Sequence, residues 1–287
     1  MDNTLPSLFV SHGSPMIALE PREAGAFMQR LGPAITARFG RPRAILAVSA
    51  HSLAREPVLL AGARHEAVYD FGGFPAALSR LRYDAPGAPA LAPRVAALLA
   101  DAGFAPQTLD QGGLDHGIWT PLRYLFPAAD IPVLPLAFVP TEPPARLFAL
   151  GQALAPLAAE GVLIVGSGSL THNLRMVFGP GGMPPVDAPE IAESRAFRAW
   201  VAERSAAADW DALFDYRRQA PHAALMHPTD EHWLPFYAAA GAGGRAATPR
   251  RLHASLTYGC LAMDAYAFGP GAQALETALA AGEPVGA

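Results

Sequence analysis

The sequence lacks lysine, because every one of the 21 residues counted as Lys+Arg is an arginine. An ε-amine is required for Schiff-base catalysis, for the attachment of pyridoxal phosphate and for the lysine of a phosphate-binding loop. The absence of lysine therefore excludes these classes of enzyme.

Cysteine is almost absent as well, and Cys260 is the single one in 287 residues. One thiol excludes a disulfide framework and a cysteine-based zinc site, and it fits a reducing compartment. The N-terminus carries Asp2 where a secretory signal has positive charge. We expect a cytoplasmic protein.

Long apolar runs and basic clusters are also missing. No stretch approaches the ~18 consecutive apolar residues of a membrane span. The formal net charge is -4, and the arginines form no patch of the kind that binds nucleic acid or an anionic membrane. We expect no nucleic-acid or membrane partner, and instead a small-molecule substrate and a possible homodimer.

What the chain does contain is apolar sequence, at 51% hydrophobic residues, in an alternating arrangement. Short runs that predict buried strands are Leu8 to Val10, Ala44 to Val48, Val58 to Leu60, Val133 to Val139 and Val162 to Val165. Longer stretches with helical spacing are Pro21 to Phe39 (interrupted at Gly32-Pro33), Ala88 to Leu99, Pro144 to Ala159, Pro189 to Ala208 and Ala272 to Ala281. Loops are predicted at 179–189 and 241–249. The pattern predicts an α/β fold with a mostly parallel or mixed central sheet and helices on both faces, in a single domain over residues 1–287.

Three of the nine histidines follow predicted strands, namely His12, His51 and His172. Ligands of an open parallel sheet bind beyond the carboxyl ends of its strands, where successive loops converge. A lone histidine in such a place is more often structural. Three together favour a common site.

The segment HPTDEH (227–232) adds either Glu231 or His232, so that the chain offers His12, His51, His172 and one of these two residues as metal ligands. Imidazole combined with oxygen or with more imidazole suits Fe(II) or Zn(II). A site with three protein ligands leaves positions open for substrate, which is typical of catalytic metal sites.

Seven segments, in order, resemble the extradiol aromatic ring-opening dioxygenases of the protocatechuate-dioxygenase beta-subunit superfamily, and within it the DOPA-dioxygenase-type branch. They are LFVSHGSPM (8–16), AVSAHS (47–52), YDFGGFP (69–75), GLDHGIWTPL (113–122), VGSGSLTHNLR (165–175), PTDEHWLPF (228–236) and SLTYGCLAMDAYAFG (255–269). The resemblance spans nearly the whole chain.

The resemblance implies a single catalytic dioxygenase domain that opens the ring of a catechol-type substrate, DOPA-like or related, with O2. It implies a metal held by His12, His51 and His232. His172 would lie beside this metal as acid/base, and His116 would contact substrate or oxygen. Fe(II) is expected for activity and Zn(II) in the protein as purified.

Further residues are candidates for contact with the substrate. Tyr69, Phe71, Phe74 and Trp119 could form an aromatic wall, although such residues are more often simple core packing. Arg175 is the nearest candidate in sequence for binding a substrate carboxylate, and Asp115 is expected to orient His116. The sequence assigns no role to His222 or His227.

Two other functions also fit the sequence. Three histidines and an activated water also serve a zinc-dependent hydrolase, which oxygen dependence would distinguish. The other is a non-catalytic metal-binding protein on the same fold. His116 and His172 argue against it, because metal binding alone needs neither.

Overall fold

The computed structural model describes residues 4–282. The strands are β1 (Ser7–Ser11), β2 (Ala44–Ser49), β3 (Val58–Leu60), β4 (Arg64–His65), β5 (Ala85–Pro86), β6 (Gln107–Leu109), β7 (Val133–Ala137), β8 (Val162–Gly168), β9 (Arg250–His253), β10 (Leu256–Thr257), β11 (Leu261–Ala262) and β12 (Ala265–Phe268). The α-helices are α1 (Arg22–Phe39), α2 (Ala92–Asp101), α3 (His116–Leu125), α4 (Pro144–Leu154), α5 (Pro156–Ala159), α6 (Leu174–Phe178), α7 (Ala192–Ala206), α8 (Trp210–Phe214), α9 (Tyr216–Gln219), α10 (Ala223–Met226), α11 (Leu234–Gly243) and α12 (Ala272–Ala281). Short 3-10 helices cover Pro15–Ala18 and Leu78–Arg80.

The central sheet has eight strands in the order β6-β3-β7-β2-β8-β1-β12-β9. Its four middle strands, β7, β2, β8 and β1, run parallel. Towards the edges, β3 pairs antiparallel with β7, and β12 pairs antiparallel with β1 and β9. The prediction of a mostly parallel or mixed central sheet is confirmed, and the sheet is mixed, with parallel strands at its centre. Because β8 lies between β1 and β2, the strands that precede His12, His51 and His172 are neighbours.

Helices cover both faces of this sheet, as the sequence predicts. Side chains alternate along β1, so that Leu8 and Val10 point to one hydrophobic cluster and Phe9 to the other. Helices α1, α3 and α12 contribute to the cluster of Leu8 and Val10, whereas α4, α7 and α11 contribute to that of Phe9. Within the described residues, none of the helices has both the length and the apolar character that crossing a bilayer requires.

Two glycine-containing segments are more helical than the sequence predicts. Helix α1 continues through Pro33 without the expected interruption. Pro33 is exposed, and so is Gln29, whose carbonyl loses its N–H partner to the proline. Gly32 permits close packing, since a Cβ there would lie 1.8 Å from the Leu125 carbonyl oxygen. Likewise α11 extends into the predicted loop at 241–249, because Gly241 packs against the backbone of Phe148 on α4.

Candidate active site

Histidines from three separate parts of the chain converge at the carboxyl ends of the parallel strands. His12 follows β1, His51 follows β2, and His232 lies in the turn before α11. The Nε2 atom of His51 is 3.1 Å from Nε2 of His12 and 3.3 Å from Nε2 of His232. The backbone N–H of Ser169 donates to the His232 carbonyl, which fixes this turn beside the end of β8.

The possible ligand atoms form two adjoining groups. One contains His12, His51 and His116, and the other contains His172, Glu231 and His232; within each group the atoms lie within 4.8 Å of one another. The short contact between His51 and His232 joins the two groups. The structure thus brings together all five histidines that the sequence places in the site.

The Nδ1 atoms of His12 and His232 each face an oxygen that accepts a hydrogen bond. Nδ1 of His12 lies 3.0 Å from the hydroxyl of Ser167, whose own proton is donated to the carbonyl of Gly117. Nδ1 of His232 lies 3.1 Å from a carboxylate oxygen of Glu231. With the ring proton on Nδ1, the Nε2 atom of each ring carries a free lone pair.

This donor set fits a metal ion. Unprotonated Nε2 atoms repel one another at 3.1 and 3.3 Å unless a cation lies between them. Nitrogen ligands bind such ions at about 2.1 Å, which places two of them about 3.0 Å apart at a right angle and about 3.4 Å apart at the tetrahedral angle. Both observed separations fall within this interval.

The electrostatics of the site also favour neutral imidazoles. Burial, followed by the charge of His116, lowers the pKa of His51 to about 4. Burial, followed by the charge of His227, lowers the pKa of His172 to about 4. Burial and the neighbouring histidines hold the pKa of His12 and His232 well below the usual value. Uncharged imidazole is the form that binds metal.

The carboxylate that orients His116 is Asp70, and the expectation for Asp115 is wrong. Asp70 Oδ1 accepts hydrogen bonds from His116 Nδ1 at 2.9 Å and from the His116 backbone N–H at 3.0 Å. Burial alone would raise the pKa of Asp70, but the hydrogen bonds and charge of His116 lower it overall. Asp115 instead accepts from the hydroxyls of Ser49 and Ser52, at 2.6 and 2.5 Å. Asp70 belongs to the YDFGGFP segment (69–75), whose aromatic residues are the predicted wall for the substrate. This segment is therefore the part of the sequence that could have indicated Asp70.

The remaining histidines of this region differ in their surroundings. His172 stacks on His232, and its backbone N–H donates to the Met226 carbonyl. His227 is fully buried, and its Nε2 lies 2.8 Å from the Leu170 carbonyl oxygen, so it supports the segment that leads to His172. His222 is exposed and adopts a left-handed backbone conformation ahead of α10.

A cavity of about 820 Å³ is lined by residues from several segments that flank the site in sequence. Its lining comprises Ser14, Met16, Glu20, Arg22, residues 73–75, Phe178, residues 183–186 and Tyr258. Phe71 connects this cavity to the site, because its ring lies 5.5 Å from the His116 ring and 5.6 Å from the Phe74 ring, measured between centroids. Contacts between Phe74, Phe71 and His116 therefore link the cavity lining to the histidines.

The predicted substrate contacts occupy different environments. Phe74 lines the cavity. Trp119 is fully buried and donates to the Val68 carbonyl, and the Tyr69 hydroxyl donates to the Leu81 carbonyl. Arg175 is exposed on α6, whereas the arginine at the cavity is Arg22. The assignment of substrate contacts stays a prediction.

Comparison with known proteins identifies the family. The model of the catalytic LigB subunit of aromatic ring-opening dioxygenase matches residues 6–269. The 4,5-DOPA dioxygenase extradiol of Beta vulgaris is 37% identical over 269 residues, which cover 93% of this chain and 97% of that protein. The protein of the same name from Escherichia coli (strain K12) is 37% identical over 245 residues, 83% of this chain and 85% of that one. A crystal structure of an uncharacterized Escherichia coli K12 protein has a TM-score of 0.72 and 29% identity, and covers 92% of this chain and 100% of its own. The chain therefore belongs to the LigB family of aromatic ring-opening dioxygenases, and it is an extradiol, ring-cleaving, non-haem metal enzyme.

Proposed function

We propose that the chain opens the ring of a catechol with a charged side chain, of the DOPA type, at an Fe(II) ion held by His12, His51 and His232. The observation that carries this proposal is the approach of three Nε2 atoms at 3.1 and 3.3 Å. The names of the Beta vulgaris and Escherichia coli relatives support DOPA as the substrate class.

The metal and the protein contribute separately. Held by His12, His51 and His232, the ion would bring catechol and O2 together and would supply a positive charge that lowers the pKa of the catechol hydroxyl. Imidazole ligands suit both iron and zinc. We therefore assign Fe(II) as the ion that supports turnover, and we expect the purified protein to bind Zn(II) as well.

His172 and His116 perform the proton chemistry of this proposal. His172 lies beside His232, where it accepts a hydroxyl proton as the catechol binds and returns it when the ring carbon–oxygen bond rearranges. The Nδ1–H of His116 donates a hydrogen bond to Asp70, which leaves the Nε2 lone pair to accept a hydrogen bond from a substrate hydroxyl.

The residues that line the cavity favour a substrate whose side chain carries one positive and one negative charge. Phe71 packs against His116, and Phe74, which contacts Phe71, lines the cavity together with Glu20 and Arg22. The Arg22 guanidinium and the Glu20 carboxylate form an ion pair of 2.6 Å, with about half of each side chain exposed. An amino-acid side chain presents a carboxylate for Arg22 and an ammonium group for Glu20.

Anaerobic reconstitution tests this function. The protein is loaded with Fe(II) or Zn(II) under nitrogen, mixed with DOPA or an uncharged catechol, and exposed to air. We expect Fe(II)-dependent oxygen uptake, one O2 per catechol, together with the yellow ring-opened product. Equal turnover by the Zn(II) protein, or turnover under nitrogen, would contradict the proposal.

A further inference from the structure

One carboxylate, that of Asp70, faces two histidines of the site. Its Oδ1 receives both the backbone N–H and the Nδ1–H of His116, at 3.0 and 2.9 Å. Its Oδ2 lies 3.7 Å from Nδ1 of His51, which is an electrostatic contact longer than a hydrogen bond. The His51 and His116 rings are close neighbours, with centroids 4.0 Å apart. Asp70 is thus placed to set the ring orientation of both.

Asp70 also provides the oxygen that faces Nδ1 of His51. Each of the other two proposed ligands has such an oxygen from another residue. Nδ1 of His12 faces Ser167, and Nδ1 of His232 faces Glu231. For His51, the facing oxygen is Oδ2 of Asp70. A carboxylate at Nδ1 favours the tautomer whose Nε2 lone pair is free, and makes that nitrogen a stronger ligand.

Long-range pairing of the backbone holds Asp70 in this place. Ala67 forms a β-bridge with Leu114, with hydrogen bonds of 2.7 Å from Val68 N to Leu114 O and 2.9 Å from Leu114 N to Glu66 O. This bridge fixes the chain three residues before Asp70 against the chain two residues before His116. The next residue after Asp70, Phe71, packs edge-on against the His116 ring.

We propose that Asp70 is a positioning residue that aligns His51 and His116 with one carboxylate, so that the metal ligand and the substrate-contacting imidazole keep a fixed relation. This inference rests on the proposed function, because it takes His51 as a ligand and His116 as a substrate contact. Asp70 itself touches neither metal nor substrate in this role. Its two oxygens act through the two rings.

The test compares Asp70→Asn with Glu66→Gln. Both changes remove one negative charge from the same segment, and the Glu66 side chain is exposed. Loss of a carboxylate that orients a metal ligand typically lowers metal affinity or activity about 10- to 100-fold. For Asp70→Asn we expect Co(II) affinity and kcat with Fe(II) to fall within this range, a changed visible spectrum of the Co(II) protein, and little change in the KM for catechol. Glu66→Gln should match the wild type.

Two further variants make the outcome decisive. Asp70→Glu restores the charge and should recover part of the affinity and kcat; if Asp70→Asn fails to fold, a wild-type Co(II) spectrum and kcat in Asp70→Glu overturn the proposal. His51→Ala tests the ligand set separately. Wild-type Co(II) binding by His51→Ala would overturn the proposed metal site. Loss of Co(II) from His51→Ala, with Asp70→Asn behaving like Glu66→Gln, would overturn the Asp70 inference alone.

Discussion

The imidazole rings of His172 and His232 lie nearly parallel, at an angle of 10° and with 3.4 Å between their centroids. His232 is at the same time in contact with His51 through Nε2. The ring of His172 therefore packs flat on a proposed metal ligand. A planar ring at this position holds the His232 ring in place by packing, whatever its nitrogens do.

Replacement of His172 by phenylalanine separates packing from proton transfer. Phenylalanine keeps a planar ring against His232 but has no group that accepts a proton. We expect iron content near that of the wild type and a fall in kcat of about 10²- to 10⁴-fold, the usual contribution of general acid–base catalysis. Metal analysis and oxygen uptake measure the two effects. Full activity of His172→Phe would refute the acid/base role.

A pair of substitutions tests whether Glu231 or His232 is the third ligand. Glu231 faces Nδ1 of His232, on the side of the ring away from His51. We expect His232→Ala to lose Zn(II) binding, and Glu231→Gln to keep the ion with about 10- to 100-fold weaker affinity. Titration against a chelator measures both.

A control for that experiment is His222→Ala, which removes an exposed histidine of the same region. It should leave Zn(II) affinity unchanged. If Glu231→Gln abolishes binding and His232→Ala retains it, the carboxylate is the ligand and the assignment is reversed.

The sequence predicts the sheet and the meeting of the histidines, because both follow from local patterns. Apolar runs define the strands, and ligands of parallel strands gather at their carboxyl ends. The sequence does not predict Asp70 as the partner of His116. Asp115 is adjacent in the chain, whereas Asp70 is brought in by the bridge between Ala67 and Leu114, a pairing without a local signature.

The same limit applies to the glycines of the helices. Gly32-Pro33 has the local signature of a helix break, but the close contact of α1 with Leu125 decides the outcome. Tertiary packing of this kind outweighs local propensity, which disfavours a helix interior by about 1 kcal/mol for glycine and about 3 kcal/mol for proline.

Stability is expected to depend on Asp264, which is fully buried between two arginines. Its carboxylate accepts from Arg198 Nε at 3.1 Å and from Arg251 Nε at 2.6 Å. Removing one member of a buried ion pair costs about 3–5 kcal/mol, and the lower end applies here because Arg198 keeps Glu190 as a partner and Arg251 is partly exposed. We expect Asp264→Ala to lower the free energy of unfolding by about this amount in urea denaturation.

The matched control is Glu203→Ala, which removes a largely exposed partner of Arg204. Exposed ion pairs contribute about 0–1 kcal/mol, so this variant should unfold close to the wild type. Equal effects of the two substitutions would mean that solvent and Glu190 compensate Arg198 and Arg251 in the absence of Asp264.

Recognition of the substrate side chain is expected to depend on Arg22 more than on Arg175. Arg22 lines the cavity, whereas Arg175 is exposed on α6. A hydrogen bond to a charged group contributes about 1.5–3 kcal/mol, and the lower end applies because Arg22 is half exposed. For Arg22→Gln we therefore expect kcat/KM for DOPA to fall about tenfold, with kcat/KM for 4-methylcatechol unchanged because this substrate has no carboxylate. Arg175→Gln, measured with the same two substrates, is the control. A selective loss of DOPA turnover in Arg175→Gln instead would assign the carboxylate to α6, as the position of Arg175 after His172 in the sequence suggests.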